Sequence, residues 1–281
     1  MMSNEEKLER LHEVSLLLLK KADGILKEHS IGYMLDAGTL LGAIRHKGFI
    51  PWDDDADICM LREDYEKFLK LAPTLSDGEF EFIIPGGKGD NKFYDFVPKL
   101  TYKKVSVAQQ GLDETFYEGK YSHPALDIFV IDKVPDGKLG QCLHTKLLIL
   151  IYGLAMGHRR EIDYSRYSKA EAWVIFILSK IGRLIPLWHI ASMYDNVSKM
   201  FSKKDKGWVM STHSAMDHFG DCYEHKWYED TEKGEFEGEA FPIPKGYDGI
   251  LKKHYKDYMT LPPEEKRVPK HIHFDISETG N

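Results

Sequence analysis

The chain has 281 residues, 38 of them basic and 45 acidic, for a net charge of −7. That length is enough for one large domain or two small ones around a sizeable core, and the acidic balance argues against general polyanion binding, so no nucleic-acid partner is expected. Three cysteines, Cys59, Cys142 and Cys222, share no short spacing and make an odd count, which suits a reducing compartment. The polar start MMSNEEKLER lacks a signal-peptide design, and the expected location is cytoplasmic.

Ser3 and Glu6 form a capping-box pattern, and Leu8, Leu11, Val14, Leu18 and Ile25 continue at helical spacing, predicting a helix to about Glu28. Residues 31–36 read as a strand. Residues 38–47 read as a short helix closed by Gly48, the residue type best suited to a left-handed C-terminal position. An extended connection, Phe49 to Trp52, leads into an acidic strand over 55–60. Residues 62–72 return to helix, with Tyr65, Phe68, Leu69 and Ala72 on one side, and Pro73 is expected to end it. Strand-like stretches follow at 79–84, 93–100 and 103–108, then a polar, aromatic loop at 111–123. The most apolar strand, 126–131, holds one carboxylate, Asp127. From 139 to 201 the pattern turns helical, and the remainder is irregular apart from a short helix around 247–255. This order predicts an α+β fold, with a mixed sheet core in residues 1–135 and a helical, irregular second part, 136–281, packed on it.

No window offers the roughly 20 apolar residues of a membrane span. The two nearest, 143–157 and 173–190, read first as buried core helices. The alternative is a peripheral contact with a bilayer through 173–190, with Trp188, Lys180 and Arg183 at the interface and the protein at the inner face of the membrane.

The stretch MLDAGTLLGAIRHKGFIPWDDDADICM, residues 34–60, carries the chemistry. Asp55 and Asp57 are two apart, so on a strand they share a face. Two carboxylates a few ångströms apart repel by about 4 kcal/mol at an effective dielectric near 20, so a buried pair needs a proton, basic neighbours or a cation. Hard divalent ions such as Mg²⁺ or Mn²⁺ prefer carboxylate oxygen. Gly38 and Thr39 at a helix start offer free backbone N–H groups to an anion. With Asp127 supplied by an adjacent strand, the set suits metal-assisted phosphoryl transfer.

Gly38-Thr39-Leu40-Leu41-Gly42, Arg45-His46-Lys47-Gly48 and Ile50-Pro51-Trp52-Asp53-Asp54-Asp55-x-Asp57 resemble the signature of the LicD family of phosphotransferases, whose core is similar to the nucleotidyltransferase superfamily. Phe236-Glu237-Gly238, Phe241-x-Ile243-Pro244 and residues 255–267, YKDYMTLPPEEKR, resemble the C-terminal signature of that family, with Lys256 where a Gly is expected. The resemblance covers about residues 30–270 and makes the chain one continuous unit. It implies transfer of a phosphorylated alcohol, typically phosphocholine, from a CDP-alcohol donor to a sugar hydroxyl of a cell-surface glycan or a lipid-linked oligosaccharide acceptor. Ribitol, glycerol or ethanolamine phosphate are alternatives, as is true nucleotidyl transfer. An inactive glycan-binding scaffold is the non-enzyme alternative. Carried over, Asp55 and Asp57 are metal ligands, Asp127 completes the metal site or accepts the acceptor's proton, and Gly38 and Thr39 touch the donor pyrophosphate.

Charge logic adds Arg45, Lys47 and Lys99 as cations for a pyrophosphate and its leaving CMP. Trp52 is a candidate to stack on a base or a choline head group. Asp53 and Asp54 support the site from the same run. Phe116, Tyr117 and Tyr121 form a second candidate choline cage. His213, His218, Cys222 and His225 match no usual zinc-ligand spacing and read as surface and pocket residues. His271 and His273 alternate on a predicted terminal strand, which would aim one of them at the site.

Overall fold

The computed structural model describes residues 3–109, 113–214, 219–269 and 274–278. The readings on His218, His271 and His273 lie outside the described residues. Helix α1 (Asn4–Glu28) begins at the expected capping box: Ser3 Oγ accepts from the Glu6 N–H and the Glu6 carboxylate accepts from the Ser3 N–H at 2.6 Å. Its stripe Leu11, Val14, Leu18, Leu19 and Leu26 is buried. Next come β1 (Met34–Leu35), α2 (Ala37–Arg45), β2 (Ala56–Leu61), α3 (Arg62–Leu75), β3 (Phe80–Ile83), β4 (Lys99–Tyr102), β5 (Val105–Gln109), α4 (Glu114–Tyr117) and β6 (Ala125–Val134). The helical stretch is three helices, α5 (Lys138–Ala155), α6 (Lys169–Gly182) and α7 (Leu187–Ser198).

The rest of the chain is less irregular than the sequence predicts. Strands β7 (Trp208–Ser211) and β8 (Cys222–Glu224) join the main sheet, β9 (Thr231–Phe236) and β10 (Glu239–Pro244) form a hairpin, α8 spans Tyr247–Tyr255, and β11 (Phe274–Glu278) pairs with β5. The strands are too short and too interleaved with turns to show a clear alternation. At the hairpin tip Glu237 and Gly238 have φ of 52° and 74°, the two positive angles that a tight two-residue turn requires.

The fold is therefore mixed α/β around a mixed seven-stranded sheet. Strand β6 is its axis. It runs parallel to β2 on one side, and on the other side β4 pairs with its first residues and β7 with its last, both antiparallel. Five consecutive residues of β6, Ile128–Asp132, are buried, as expected of a central strand covered on both faces. Helix α1 packs on β2, β4 and β6, and α3 on β2, β3 and β6.

Three local expectations are corrected. Helix α3 runs through Pro73 to Leu75, because a proline in the last turn removes only one helical bond before the chain would leave anyway. The left-handed residue after α2 is Lys47 (φ 61°), not Gly48. Gly48 serves close approach instead, since a Cβ there would collide with the Glu237 carboxylate. Finally, α5 and α6 are not core helices on all sides. Residues Lys138–His158 are long and apolar enough to cross a membrane by length and composition, and only part of their surface is buried.

One buried ion pair locks α3 to the sheet. The Arg62 guanidinium grips Asp132 of β6 with two hydrogen bonds, 2.7 and 2.6 Å, and reaches Asp195 of α7 at 2.6 Å. Thr212 Oγ1 donates to the same Asp132 carboxylate at 2.5 Å.

Candidate active site

The parallel register of β2 and β6 sets Asp57 directly opposite Asp127, and the antiparallel register of β4 sets Lys99 opposite Asp127 on the other side. A row of two carboxylates and one ammonium thus crosses three strands. Lys99 Nζ donates to Asp127 Oδ1 at 2.6 Å and lies 3.7 Å from Asp95. Burial pushes the Asp127 carboxyl up to about 6; Lys99 opposes that rise, while Asp95 and Asp55 add to it. Asp57 is buried, and burial followed by the charges of Asp55, Asp127, Asp53 and Asp36 holds its carboxyl well above the usual carboxylate range. Buried like charges of this kind need a proton, a basic neighbour or a cation to persist.

The backbone of Asp57 is pinned from the neighbouring turn. Its N–H donates to Thr39 Oγ1 at 2.8 Å, and its carbonyl accepts from the Asp36 N–H at 3.1 Å. Thr39 is buried, outside the cleft lining, and tethers the strand. Asp36 caps α2, accepting from the Ala37 N–H at 2.9 Å, and burial raises its carboxyl to about 6 while a hydrogen bond from the Cys59 thiol opposes the rise. Ala37 between them has φ 44°, a left-handed angle that costs an alanine on the order of 1 kcal/mol. Asp36 escaped the sequence reading, although an Asp just before a Gly-Thr helix start is a strong N-cap signal.

Asp55 stands one residue ahead of β2, and its charge is the first among the carboxylates that raise Asp57. It also belongs to a compact group: carboxylate oxygens of Asp53, Asp54 and Asp55 all lie within 4.8 Å of one another. Gly38 makes room for this group, since a Cβ there would collide with Asp53 Oδ2. The run is also held from α1, where the His12 ring stacks on Phe49 at 4.3 Å and its Nε2 donates to the Asp53 carbonyl at 2.6 Å. The oxygen-only donor group Asp53, Asp54 and Asp55 fits a hard divalent cation, and Asp57 faces the same cleft.

A cleft of about 720 Å³ opens over these groups. It collects Gly38, Arg45, Trp52, Asp53, Asp55, Asp57 and Asp127 from the predicted set. Lys47 is exposed and Lys99 points its ammonium at Asp127, and neither lines the cleft. The far wall is C-terminal: Tyr255, Tyr258, Leu261, Pro262 and Lys266 line it. Arg45 joins the two walls by donating to the Tyr258 carbonyl at 2.8 Å. Trp52 already carries a cation, the Arg267 guanidinium 5.9 Å from its ring centre. Lys256, in the position where a Gly was expected, has φ 61° and ψ −112°, a backbone that glycine adopts more readily.

The other candidates lie elsewhere. Tyr117 and Tyr121 are buried with Tyr94 and Phe116; Tyr94 stacks on Tyr121 at 4.6 Å, and none of the four lines the cleft. Their rings pack on one another, and Lys92 and Lys120 sit over Phe116 and Tyr121, away from the cleft. His213 is buried between Tyr65 and Tyr194, with Nδ1 2.9 Å from Thr212 Oγ1. The Cys222 thiol donates to the Gly220 carbonyl, and His225 faces Glu229 at 3.1 Å.

With this geometry in place, comparison with known proteins is informative. Residues 30–132 match the family described as LicD/FKTN/FKRP, nucleotidyltransferase domain. The lipopolysaccharide cholinephosphotransferase LicD of Haemophilus influenzae is 28% identical over 277 residues, covering 92% of this chain and 94% of that protein. The ribitol 5-phosphate transferase FKRP of human is 46% identical over 41 residues, which are 15% of this chain and 8% of that protein.

Proposed function

This chain belongs to the LicD family of phosphotransferases, and from that premise we propose that it transfers phosphocholine from CDP-choline to a sugar hydroxyl of a cell-surface glycan or its lipid-linked precursor. The observation that carries the reading is the register that faces Asp57 with Asp127 beneath a cleft rimmed by Asp53 and Asp55. We take the β2–β6 pair with these carboxylates as a nucleotidyltransferase-like core. The Haemophilus relative supports choline as the alcohol, and the FKRP matches support the wider class of phospho-alcohols.

Asp53, Asp55 and Asp57 would hold Mg²⁺ or Mn²⁺, which supplies charge neutralisation at the donor phosphates. The residues of the chain do the rest. Asp127 accepts the proton of the acceptor hydroxyl, and Lys99 holds its carboxylate in place. The hydroxyl oxygen attacks the choline-bearing phosphorus in line, the bond from that phosphorus to CMP breaks, and CMP leaves with the electron pair. Arg45 and Lys266 on the cleft wall offset the charge that develops on CMP. The C-terminal wall limits water, which would otherwise compete with the sugar hydroxyl.

Calorimetry with Mg²⁺ against CDP-choline, CDP-ethanolamine, CDP-ribitol, CDP-glycerol and CTP tests this. Binding of CDP-choline that disappears in Asp55→Asn is the expected result. Preference for another CDP-alcohol changes the transferred group, binding of CTP alone replaces the reading with nucleotidyl transfer, and loss of all binding in the intact protein overturns it.

A further inference from the structure

We propose that α5 and α6 form a docking surface for an anionic lipid bilayer, lying in the interface plane rather than crossing it. The inference does not rest on the transferase reading. It starts from the surface of α5, where Leu139, Leu143, Leu147 and Leu150 recur at helical spacing and are exposed, Leu139 by 75% and Leu143 by 60%. The opposite face of the same helix, with Leu148, Ile151 and Leu154, is buried in a core shared with Val134 of β6 and Met210 of β7. That anchored face is why α5 lies on a bilayer and does not span it: crossing would expose part of the sheet core.

Helix α6 repeats the design. Trp173 is 67% exposed, and Phe176 and Lys180 follow at three and seven residues, on the same side. Leu184, just beyond its end, is 84% exposed. The two helices are pressed together by glycines. A Cβ at Gly153 would come 2.7 Å from Leu178 Cδ1, and one at Gly182 would run into the Leu154 carbonyl. The unpartnered apolar side chains therefore sit on a rigid pair.

Charge selects the partner. Residues 138–206 contain twelve Lys and Arg against five Asp and Glu, in a chain that carries 38 against 45 overall. Lys138, Lys146, Lys169, Lys180 and Arg183 are exposed among the apolar residues. Lys180 Nζ sits 5.3 Å from the Phe176 ring centre, with the stem of the side chain along apolar surface and the charge at its tip. A second copy joined about a twofold axis would set this basic segment against itself. A protein core would leave the cations unpaired. Anionic head groups over acyl chains satisfy both chemistries at once.

The test is co-sedimentation of the full chain with vesicles of phosphatidylcholine containing 30% phosphatidylglycerol, and with pure phosphatidylcholine, at low and high salt. Binding to the anionic vesicles should weaken with salt, fall at least tenfold in L143E/W173E and persist in L17E, which places a charge at an exposed position on α1. Circular dichroism melts of all three proteins should coincide. No binding of the parent protein, equal binding to neutral vesicles, or unchanged binding by L143E/W173E would each overturn the proposal. So would a concentration-dependent dimer, abolished by the double substitution, in a protein that ignores vesicles.

Discussion

The Glu237 carboxylate accepts a hydrogen bond from the Phe49 N–H at 2.9 Å, joining two residues 188 positions apart. The contact is reinforced on both sides. The Glu237 N–H donates to the Lys47 carbonyl at 2.9 Å, and the neighbouring Phe236 packs edge-on against Phe49 at 4.8 Å. The β9–β10 hairpin thus clamps the loop that leads into Asp53, Asp54 and Asp55. Two segments that resemble one family's front and rear signatures are, in space, one structure.

Glu237→Ala should lower stability to urea by about 1 kcal/mol, the worth of one partly exposed hydrogen bond. Glu237→Gln keeps the acceptor and should recover most of that loss. Equal destabilisation by both would mean that the contact adds nothing.

Asp57→Asn and Asp127→Asn should each cut transfer at least about a hundredfold, as expected when a group acting on the reacting phosphate is removed. Asp57→Asn should not lower the melting temperature. Burial and like charges hold the Asp57 carboxyl above its usual range, so a neutral side chain there relieves repulsion. Asp127→Asn, by contrast, takes the main partner from the largely buried Lys99 ammonium and should cost stability. A fully active Asp57→Asn would sink the site.

Arg62→Met should be far more damaging to the fold, by about 3–5 kcal/mol, because it strands the fully buried Asp132 carboxylate without its cation. The double variant R62M/D132L should regain part of that loss in equilibrium unfolding. A single variant as stable as the parent would show that the ion pair adds nothing to the fold.

Stability should also report on His213. Burial, and secondly the charge of Arg62, depress its imidazole from 6.5 to about 3. Above about pH 6.5 the ring is neutral whether folded or not, and its contribution is fully present. Between 6.5 and 3 the unfolded chain takes up a proton that the folded protein refuses, so stability falls by up to about 1.4 kcal/mol per pH unit. His213→Gln should flatten that acid limb relative to the parent. Parallel limbs would place the ring in contact with solvent.

Local signals carried the parts of the fold that depend on neighbours in sequence. The Ser3–Glu6 box and the leucine spacing set α1 from its first turn to Glu28, and α8 falls where its pattern places it. The acidic run and the lone carboxylate of the apolar strand were legible as chemistry, because a charge among apolar residues needs a reason to be there. Strands β7 and β8 were not, since three- and four-residue strands carry too little periodicity to stand out from turns.

The sequence by itself pointed to residues suited to chemistry, Asp55, Asp57, Asp127 and the Gly38 turn, and to a family resemblance. Only the tertiary structure decided their relations. Strand register, a property of two chain segments and not of either, faces Asp57 with Asp127 and pairs Asp127 with Lys99. Steric exclusion at Gly38 and Gly48, visible only when the colliding group is known, seats the Asp53 and Glu237 carboxylates against the backbone. Long-range packing turned the C-terminal tyrosines into a cleft wall and left one face of α5 and α6 bare, because which side of a helix is covered depends on what the rest of the chain brings to it.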